Sequence, residues 1–222
     1  MLRPLTVTNL ALLALLASGP ESSAQVIPMA AWNAMTPYAK AVMADSPRAF
    51  FHLNETNTTD AVTDVTGNVT TAASPYSGVT LQQSSAISDA NDHSAYFNGS
   101  SYLFLGNAAN LTGYTNGSVE AMIKATAVPA SGQYGTIYRW RGYGVVMQVD
   151  SSGKLVFSYV DSTATAHSVT STSSIVDSKW HHVVGTYSNS TGALKLYIDN
   201  ALVASATSTN AIYWGTGGAA IG

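Results

Sequence analysis

Carboxylate side chains are scarce in this sequence, and their spacing bears on whether the chain can catalyse hydrolysis. Among its 222 residues there are three glutamates, Glu21, Glu55 and Glu120. Hydrolysis of a glycosidic bond needs two carboxyl groups at a fixed separation, but no Glu-x-Asp type of pair occurs and Glu120 stands alone on its predicted strand. The Gly-x-Ser-x-Gly sequence of many serine nucleophiles does not occur either. The sequence therefore predicts a protein that is not an enzyme.

Two adjacent histidines, His181 and His182, raise the question of a metal site. On a strand, neighbouring side chains point to opposite faces, so these two rings cannot hold one ion between them. The remaining histidines, His52, His93 and His167, are scattered along the chain. We therefore interpret the histidine pair as structural.

An aromatic and basic hairpin is the predicted ligand-binding region. It contains Tyr138, Trp140, Arg141 and Tyr143, with its turn at Arg141-Gly142 and with Tyr134 shortly before it. Aromatic platforms and planar polar groups are typical of saccharide sites, so these four residues are the candidate ligand-binding residues. The alternative is that Tyr138 and Trp140 pack in the core or across strands, because sheets also favour aromatic residues.

Composition restricts the class of protein. Charged residues make up 9% of the chain, against about 25% in typical soluble domains. With a net charge of −3, a nucleic-acid partner is not expected. The chain has no cysteines, which excludes disulfides, thiol catalysis and cysteine-ligated metals. This composition is typical of an extracellular or virion-surface β-protein.

Alternating apolar and polar residues predict strands along most of the chain. The clearest case is the run 179–187, which is followed by the polar link 188–192 and a second run, 193–199. This order is typical of an antiparallel hairpin. From Arg48 onward, short strands alternate with turns rich in Asn, Asp, Gly and Ser, without a long helical period. The predicted fold class is therefore all-β, an antiparallel sandwich.

The hairpin also carries a recognisable signature. Its letters, WHHVVGTY, then TGALKLYID and LVAS, closely resemble the WHHVVGTYD…TGTLKLYVDG…LVAS signature of laminin-G-like, concanavalin A-like lectin/glucanase jelly rolls. The resemblance covers roughly residues 45–222 and implies an antiparallel jelly-roll sandwich over residues 48–222. It also implies that the histidine pair belongs to the framework of the family. The glucanase branch works with two acidic residues spaced by two on one strand, a pair that this chain lacks.

The resemblance further implies a calcium site. Many domains of this family hold calcium with loop carboxylates and backbone carbonyl groups, the oxygen ligands that this cation prefers. The corresponding residues here are Asp64 and Asn68 of an Asp-Val-Thr-Gly-Asn turn, with Glu55 as a neighbour. The alternative is an Asx-turn, in which the Asp64 carboxylate satisfies its own loop.

The N-terminal part divides into two segments. Residues 1–24 combine a basic start, an apolar run and small residues, which is typical of a signal-like or anchoring segment; the run is too short to span a bilayer. Residues 25–47 form a connector with one short helix, capped by Thr36 and with Pro37 at its first position. The letters YAKAVMADSPRAFFHLNE resemble the YxxAVLADSPVAYWRLGE lead-in before laminin-G-like domains of bacteriophage tail proteins and of some bacterial surface proteins.

Domains of this family continue past the position of Gly222 into a final strand of the pattern GxIDEVAIY, which pairs near the first strand. This sequence lacks that pattern, so strand 49–53 is expected to expose an unpaired edge. Three outcomes are open: the sequence is a fragment, a neighbouring subunit donates the strand, or residues 5–16 replace it. We expect one of the first two, because the Ala/Leu-rich residues 5–16 favour helix over strand.

The predicted function combines these features. We expect a non-enzymatic virion-surface or tail-associated protein of a bacteriophage, whose jelly roll serves host-glycan adhesion or assembly. Its partners would be a glycan or host-surface polysaccharide, and other virion subunits that donate a strand. The alternative is a secreted, extracellular bacterial carbohydrate-binding or adhesion module with a cleaved signal peptide. Neither a nucleic-acid partner nor a membrane span is expected.

Overall fold

The computed structural model describes residues 7–16, 29–72, 75–87, 92–106, 111–140, 144–208 and 210–222, and for residues 7–16 it describes the backbone. These residues contain two short helices, α1 (Met29–Ala34) and α2 (Pro37–Ala44). The strands are β1 (Val7–Leu16), β2 (Ala49–Phe51), β3 (Tyr76–Ser77), β4 (Thr80–Ser84), β5 (His93–Tyr96), β6 (Tyr102–Gly106), β7 (Asn116–Ala125), β8 (Gly135–Trp140), β9 (Val145–Val149), β10 (Lys154–Val160), β11 (Ala166–Ser174), β12 (Trp180–Ser188), β13 (Ala193–Ile198), β14 (Ala201–Thr207) and β15 (Ala219–Ile221). The predicted all-β fold class is confirmed.

The strands form two sheets whose inner faces share one core. Sheet A has the order β14-β13-β12-β7-β1-β5-β4, and β2 also pairs with β1. Sheet B has the order β11-β10-β9-β8-β15-β6-β3. Every strand pair found among the described residues is antiparallel. This is the antiparallel sandwich with a short helical segment before it that the sequence predicts.

Side-chain alternation separates the buried face of each strand from its outer face. In β7, Val119, Ala121 and Ile123 are buried, and the residues between them are half-buried. The same period along β12 brings Gly185 to the inner face. There the ring of Phe157, from sheet B, occupies the space that a Cβ would need. The missing side chain at this position therefore lets the two sheets approach closely.

The predicted hairpin is confirmed. Strands β12 and β13 pair from Val183 opposite Ile198 to Ser188 opposite Ala193. The chain then reverses into β14 through Asp199 and Asn200, whose φ angles of 50° and 66° lie in the left-handed region. Asp and Asn tolerate that conformation better than other non-glycine residues, so the residue types fit the turn.

Helix α2 packs on the outer face of sheet A. The Thr36 hydroxyl accepts a hydrogen bond from the backbone N–H of Ala39 (3.1 Å), as expected for an N-cap, and Pro37 occupies the first turn. Val42 and Met43 are buried together with Phe50, an outward-facing residue of β2. The predicted helix that begins at Thr36-Pro37 is thus confirmed, but the connector contains two helices, α1 and α2, where one was expected. Neither of the described helices has the length and apolar character needed to cross a membrane.

The expectation for the N-terminal segment is wrong in one respect. The backbone of residues 7–16 forms a strand rather than a helix, and it pairs with β2, with Leu13 opposite Phe51 and Leu15 opposite Ala49. It also pairs with β7 and β5. The physical reason is that helix propensity differs by only tenths of a kcal/mol per residue, whereas unpaired backbone groups of neighbouring strands gain partners along the whole of β1. Strand 49–51 therefore has a partner within the same chain, so the expectation of an unpaired edge there is wrong. Residues 7–16 take the place that we expected a donated strand to fill.

Candidate functional site

The predicted calcium turn is built around a carboxylate that the protein already satisfies. Oδ1 of Asp64 accepts hydrogen bonds from the backbone N–H groups of Phe50 (2.8 Å) and Thr66 (3.0 Å). Oδ2 accepts hydrogen bonds from the Thr66 hydroxyl (2.7 Å) and the backbone N–H of Val69 (2.8 Å). These bonds use the acceptor positions through which the carboxylate would bind an ion. The turn therefore matches the Asx-turn alternative.

The other two candidate calcium ligands also have protein partners. Oε1 of Glu55 accepts a hydrogen bond from the backbone N–H of Thr63 (2.8 Å), and Oε2 accepts one from the Tyr76 hydroxyl (2.6 Å). Burial and this bond raise the pKa of Tyr76, which keeps the hydroxyl protonated as a donor. The amide of Asn68 donates to a backbone carbonyl (3.0 Å). The three residues do not fit a calcium ion in this conformation, and no group of three acidic or histidine side chains in the described chain is placed to hold a metal.

The aromatic residues of the predicted ligand platform lie in the core. Tyr138 and Trp140 are 0% and 2% exposed. Trp140 packs edge-to-face on Trp214, with 5.9 Å between ring centroids, and its Nε1–H donates to a backbone carbonyl (3.1 Å). Burial raises the pKa of the Tyr138 hydroxyl. The structure thus corrects the platform prediction for these two residues, while Arg141 and Tyr143 lie outside the described residues.

The alternation that buries Trp140 places its neighbour Arg139 on the outer face of sheet B. Arg139 is exposed and lies opposite Ala220 of β15, which in turn lies opposite Phe104 of β6. On its other side, Arg139 lies opposite Val146 of β9. These residues form a row across the sheet, in which Phe104 and Arg139 are about 10 Å apart because two strand spacings separate them.

Three aromatic side chains are exposed along this row and beside it. Tyr102 and Phe104 project from the same face of β6 and are 46% and 37% exposed, and Tyr134, in the loop before β8, is 57% exposed. The Phe104 ring lies over Gly218, where a Cβ would come within 2.7 Å of its Cε2. Tyr102 and Tyr134 line a pocket of about 210 Å³ together with Thr136.

We refer to Tyr102, Phe104, Tyr134, Thr136 and Arg139 as the aromatic face. Its rings offer apolar surface, and its hydroxyl and guanidinium groups offer hydrogen bonds in fixed directions. The strands of sheet B, as far as the structure describes them, contain no Asp or Glu. The aromatic face can therefore bind by stacking and hydrogen bonding, but its strands supply no carboxyl group for acid–base chemistry.

Sequence reasoning missed Tyr102 and Phe104, although a signal was present. The run Tyr-Leu-Phe-Leu at 102–105 is apolar on both faces of its strand. Only one face can contact the core of a two-layer sandwich, here through Leu103 and Leu105. The other face must then be covered by another element of the chain or remain exposed, where it can contact a partner.

The adjacent histidines contact different carboxylates, which suits the structural interpretation. Nδ1 and Nε2 of His181 lie 2.8 Å and 3.0 Å from oxygens of Asp199 and Asp177. Burial opposes the charged form of His181, but the hydrogen bonds to the two carboxylates outweigh it and raise its pKa. His182 lies 3.0 Å from Glu120, and that hydrogen bond raises its pKa against the effect of burial. These pairs tie neighbouring turns and strands to β12.

Comparison with protein families gives a match to more than half of the chain. The laminin G-type profile that is described as the concanavalin A-like lectin/glucanases superfamily matches residues 97–222. No curated protein matches the sequence significantly.

Three solved structures are similar to parts of this chain at low sequence identity. The binding domain of paraclostridial mosquitocidal protein 1 is 12% identical, with a TM-score of 0.55, over 72% of this chain and 41% of its own length. Mouse laminin α1 domains LG4-5 are 20% identical over 49% of this chain and 28% of their own length, with a TM-score of 0.38. A SAP-like pentraxin from Limulus polyphemus is 19% identical over 47% of this chain and 50% of its own length, with a TM-score of 0.35. The chain spans half or less of each of these structures, and the mosquitocidal domain alone of the three supports the fold.

Proposed function

The chain belongs to the concanavalin A-like lectin/glucanases superfamily, and on that premise we propose that it binds saccharides on the aromatic face without cleaving them. The observation that carries this proposal is the exposure of Tyr102, Phe104 and Tyr134 around the row that contains Arg139. Clustered exposed apolar side chains on a soluble domain are typical of interaction sites.

The chemistry of the aromatic face suits sugar rings. A pyranose has apolar C–H faces and an equatorial rim of hydroxyl groups, so it can stack on an aromatic ring while its rim forms hydrogen bonds. Tyr102 and Phe104 are about 7 Å apart along β6, because residues two positions apart on a strand are separated by that rise. The guanidinium of Arg139 can donate two hydrogen bonds to neighbouring hydroxyl oxygens. Two stacking surfaces and a forked donor therefore favour an extended saccharide over a single small polar molecule.

Binding without hydrolysis is supported by the absence of Asp and Glu from the described strands of sheet B. A glycoside hydrolase places two carboxyl groups on either side of the scissile bond. On β7 of sheet A, Oε1 of Glu120 lies 3.0 Å from Nε2 of His182. An active hydrolase would need a carboxylate pair that these strands do not provide.

We place this binding activity at the surface of a bacteriophage virion or tail, where it serves adhesion to host glycans or assembly with other virion subunits. The resemblance of residues 38–55 to a lead-in found in bacteriophage tail proteins supports this setting. The alternative is a secreted bacterial adhesion module. Intact-mass measurement on the native protein separates the two settings: retention of residues 1–24 supports the virion, and their removal supports secretion.

A glycan array followed by calorimetric titration of the best saccharide tests the binding site. The variant Tyr102→Ala is expected to weaken binding about tenfold or more, since truncation of an aromatic anchor costs about 2 kcal/mol. Tyr213→Ala is the matched control, because Tyr213 is also 46% exposed but lies outside the aromatic face. Binding should persist in the presence of a calcium chelator, since the candidate ligands of the Asp64 turn are occupied by protein donors.

Two results would contradict the proposal. One is that no saccharide binds above background. The other is that Tyr102→Ala and Tyr213→Ala weaken binding equally, which would place the site elsewhere. Release of shortened saccharides during the titration would contradict the non-enzymatic part of the proposal alone.

A further inference from the structure

A second cavity lies on the outer face of sheet A, across the sandwich from the aromatic face. It has a volume of about 460 Å³ and extends along β7, β12 and β13 to the 189–192 turn. Its lining consists mainly of hydroxyl, amide and amine side chains, and we refer to it as the hydroxyl groove. Its principal polar residues are Asn116, Ser118, Thr186, Ser188, Lys195 and Tyr197.

Among the described residues that line the groove, one carries a positive charge and none is acidic. Ser118 of β7 lies opposite Thr186 of β12, which lies opposite Lys195 of β13. Lys195 is exposed, and the ion pairs found within the described chain do not include it. An exposed ammonium group that is not neutralised by the protein attracts an anion.

The acidic residue on the same face of β7 does not compensate for this charge. Glu120 lies two strands away from Lys195, opposite Val184, and its Oε1 lies 3.0 Å from Nε2 of His182. Glu120 and Lys195 are separated by two strand spacings across the sheet and by two residues along the strands. They are therefore roughly 12 Å apart, which is too far for direct pairing. The groove is therefore locally cationic in a chain whose net charge is −3.

An amide oxygen at the groove is left without a donor. Oδ1 of Asn116 is shielded from solvent and accepts no hydrogen bond from the part of the chain that the structure describes. A buried acceptor without a donor is costly and is normally satisfied by water or a ligand. Its position on the lining, one row from the Ser118–Thr186–Lys195 row, suits a donor that reaches in from the groove.

We infer that the hydroxyl groove binds the acidic unit of a saccharide, a sugar ring that carries a carboxylate or a sulfate ester. The anionic substituent pairs with Lys195, and a sugar hydroxyl donates to Oδ1 of Asn116. The serine and threonine hydroxyls form hydrogen bonds with the remaining hydroxyl groups of the sugar, and the half-buried ring of Tyr197 offers an apolar surface. This site lies on the other sheet, so it does not depend on the aromatic face.

Calorimetric titration with trigalacturonic acid and with a neutral galactose trisaccharide tests the anion requirement. A sulfated chondroitin disaccharide, titrated beside its unsulfated counterpart, distinguishes sulfate from carboxylate as the preferred group. We expect at least one acidic probe to bind at least tenfold more tightly than its less acidic counterpart. Its affinity should fall with added salt, because a charge pair at an exposed site is screened.

Variants locate the binding. Lys195→Gln should weaken the acidic probe about tenfold, and Lys195→Arg should retain most of the affinity, since a charge-assisted hydrogen bond contributes about 1.5 kcal/mol or more. Asn116→Asp keeps the shape of the side chain but adds a negative charge, so it should also weaken the acidic probe. Lys124→Gln is the matched control, because Lys124 is on the same face of sheet A but outside the groove.

The inference is overturned if the acidic probes bind no more tightly than their counterparts, or if Lys124→Gln weakens binding as much as Lys195→Gln. The variant Tyr102→Ala separates this site from the aromatic face. Loss of acidic-probe binding in that variant, with normal binding in Lys195→Gln, would assign the probe to the aromatic face instead.

Discussion

The outward-facing Phe50 is covered on sheet A, whereas the outward-facing Phe104 and Tyr102 are exposed on sheet B. On sheet A, Phe50 is 0% exposed because α2 packs over it with Val42 and Met43. On sheet B, Phe104 and Tyr102 are 37% and 46% exposed, and no described helix lies over them. An outward-facing Phe side chain is therefore buried on sheet A and partly exposed to solvent on sheet B.

This difference separates stability from recognition. Burial of a Phe side chain between a helix and a sheet removes apolar surface from water and stabilises the fold. A Phe side chain left in water gives up that contribution, so a cluster of them points to a partner that covers them. We therefore expect changes on the two faces to affect different measurements.

The largest expected difference is between Phe50→Ala and Phe104→Ala. Truncation of the fully buried Phe50 should lower the free energy of unfolding by about 3–5 kcal/mol, as for other buried aromatic residues. Phe104→Ala should lower it by less than about 1 kcal/mol, since the ring is partly in water, while weakening saccharide binding. Urea denaturation of the two variants checks this, and equal losses of stability would mean that the faces do not differ.

The Asp64 turn provides a second test, because its carboxylate joins the loop after β2 to the covered face. Asp64→Asn replaces an acceptor oxygen with an amide donor that faces backbone N–H groups. We expect a loss of about 2–3 kcal/mol, since hydrogen bonds to charged groups are the stronger kind. Asp60→Asn, at an exposed neighbouring position, should have little effect.

Calcium removal completes that test. Because both oxygens of Asp64 accept hydrogen bonds from the protein, a chelator should leave the melting temperature of the unmodified protein unchanged. A lower melting temperature with chelator, restored by added calcium, would show that an ion stabilises the native state and would contradict the structural interpretation of this turn.

The smallest expected effect concerns pH at the start of β12, where His181 lies. The pKa of His181 in the folded protein is raised above its ordinary value of 6.5. Its charge therefore adds stability that is complete below about pH 6.5 and is lost as the pH rises through the folded-state pKa. Asp177 and Asp199 are substantially exposed, so this contribution is at most about 1 kcal/mol.

Melting temperatures measured between pH 6 and pH 9 check this dependence. The decrease on the alkaline side should be smaller in His181→Gln than in the unmodified protein. His93→Gln is the control, because His93 forms no ion pair with a carboxylate in the described chain. An unchanged pH profile in His181→Gln would mean that the two carboxylates do not hold the ring in its charged form.

Local patterns in the sequence were sufficient for much of the fold. Alternation predicted the β12–β13 hairpin, and the Thr36-Pro37 pair predicted the start of α2. Residues 7–16 were assigned wrongly because their Ala/Leu composition is a weak local preference. The pairing partners that override it lie in β2, β5 and β7, far away in the sequence.

The candidate site was harder to predict, since alternation gives two faces without saying which one meets the core. The binding prediction was based on Tyr138 and Trp140, which lie on the inner face of β8, whereas Arg139 between them lies on the outer face. In β6 both faces are apolar, and the packing of Leu103 and Leu105 on the core decides that Tyr102 is exposed. That decision depends on the neighbouring strands, which the local sequence does not contain.

The most direct test of saccharide binding on the aromatic face is a titration followed by two-dimensional ¹H–¹⁵N NMR. With the best saccharide from the glycan array, the largest shift changes should fall on residues 102–106, 134–139 and 146–148, which belong to sheet B and the loop before it. Residues 37–51, which carry α2 and the covered Phe50, should change little. Shift changes concentrated in 37–51, or spread without preference over both sheets, would contradict the account.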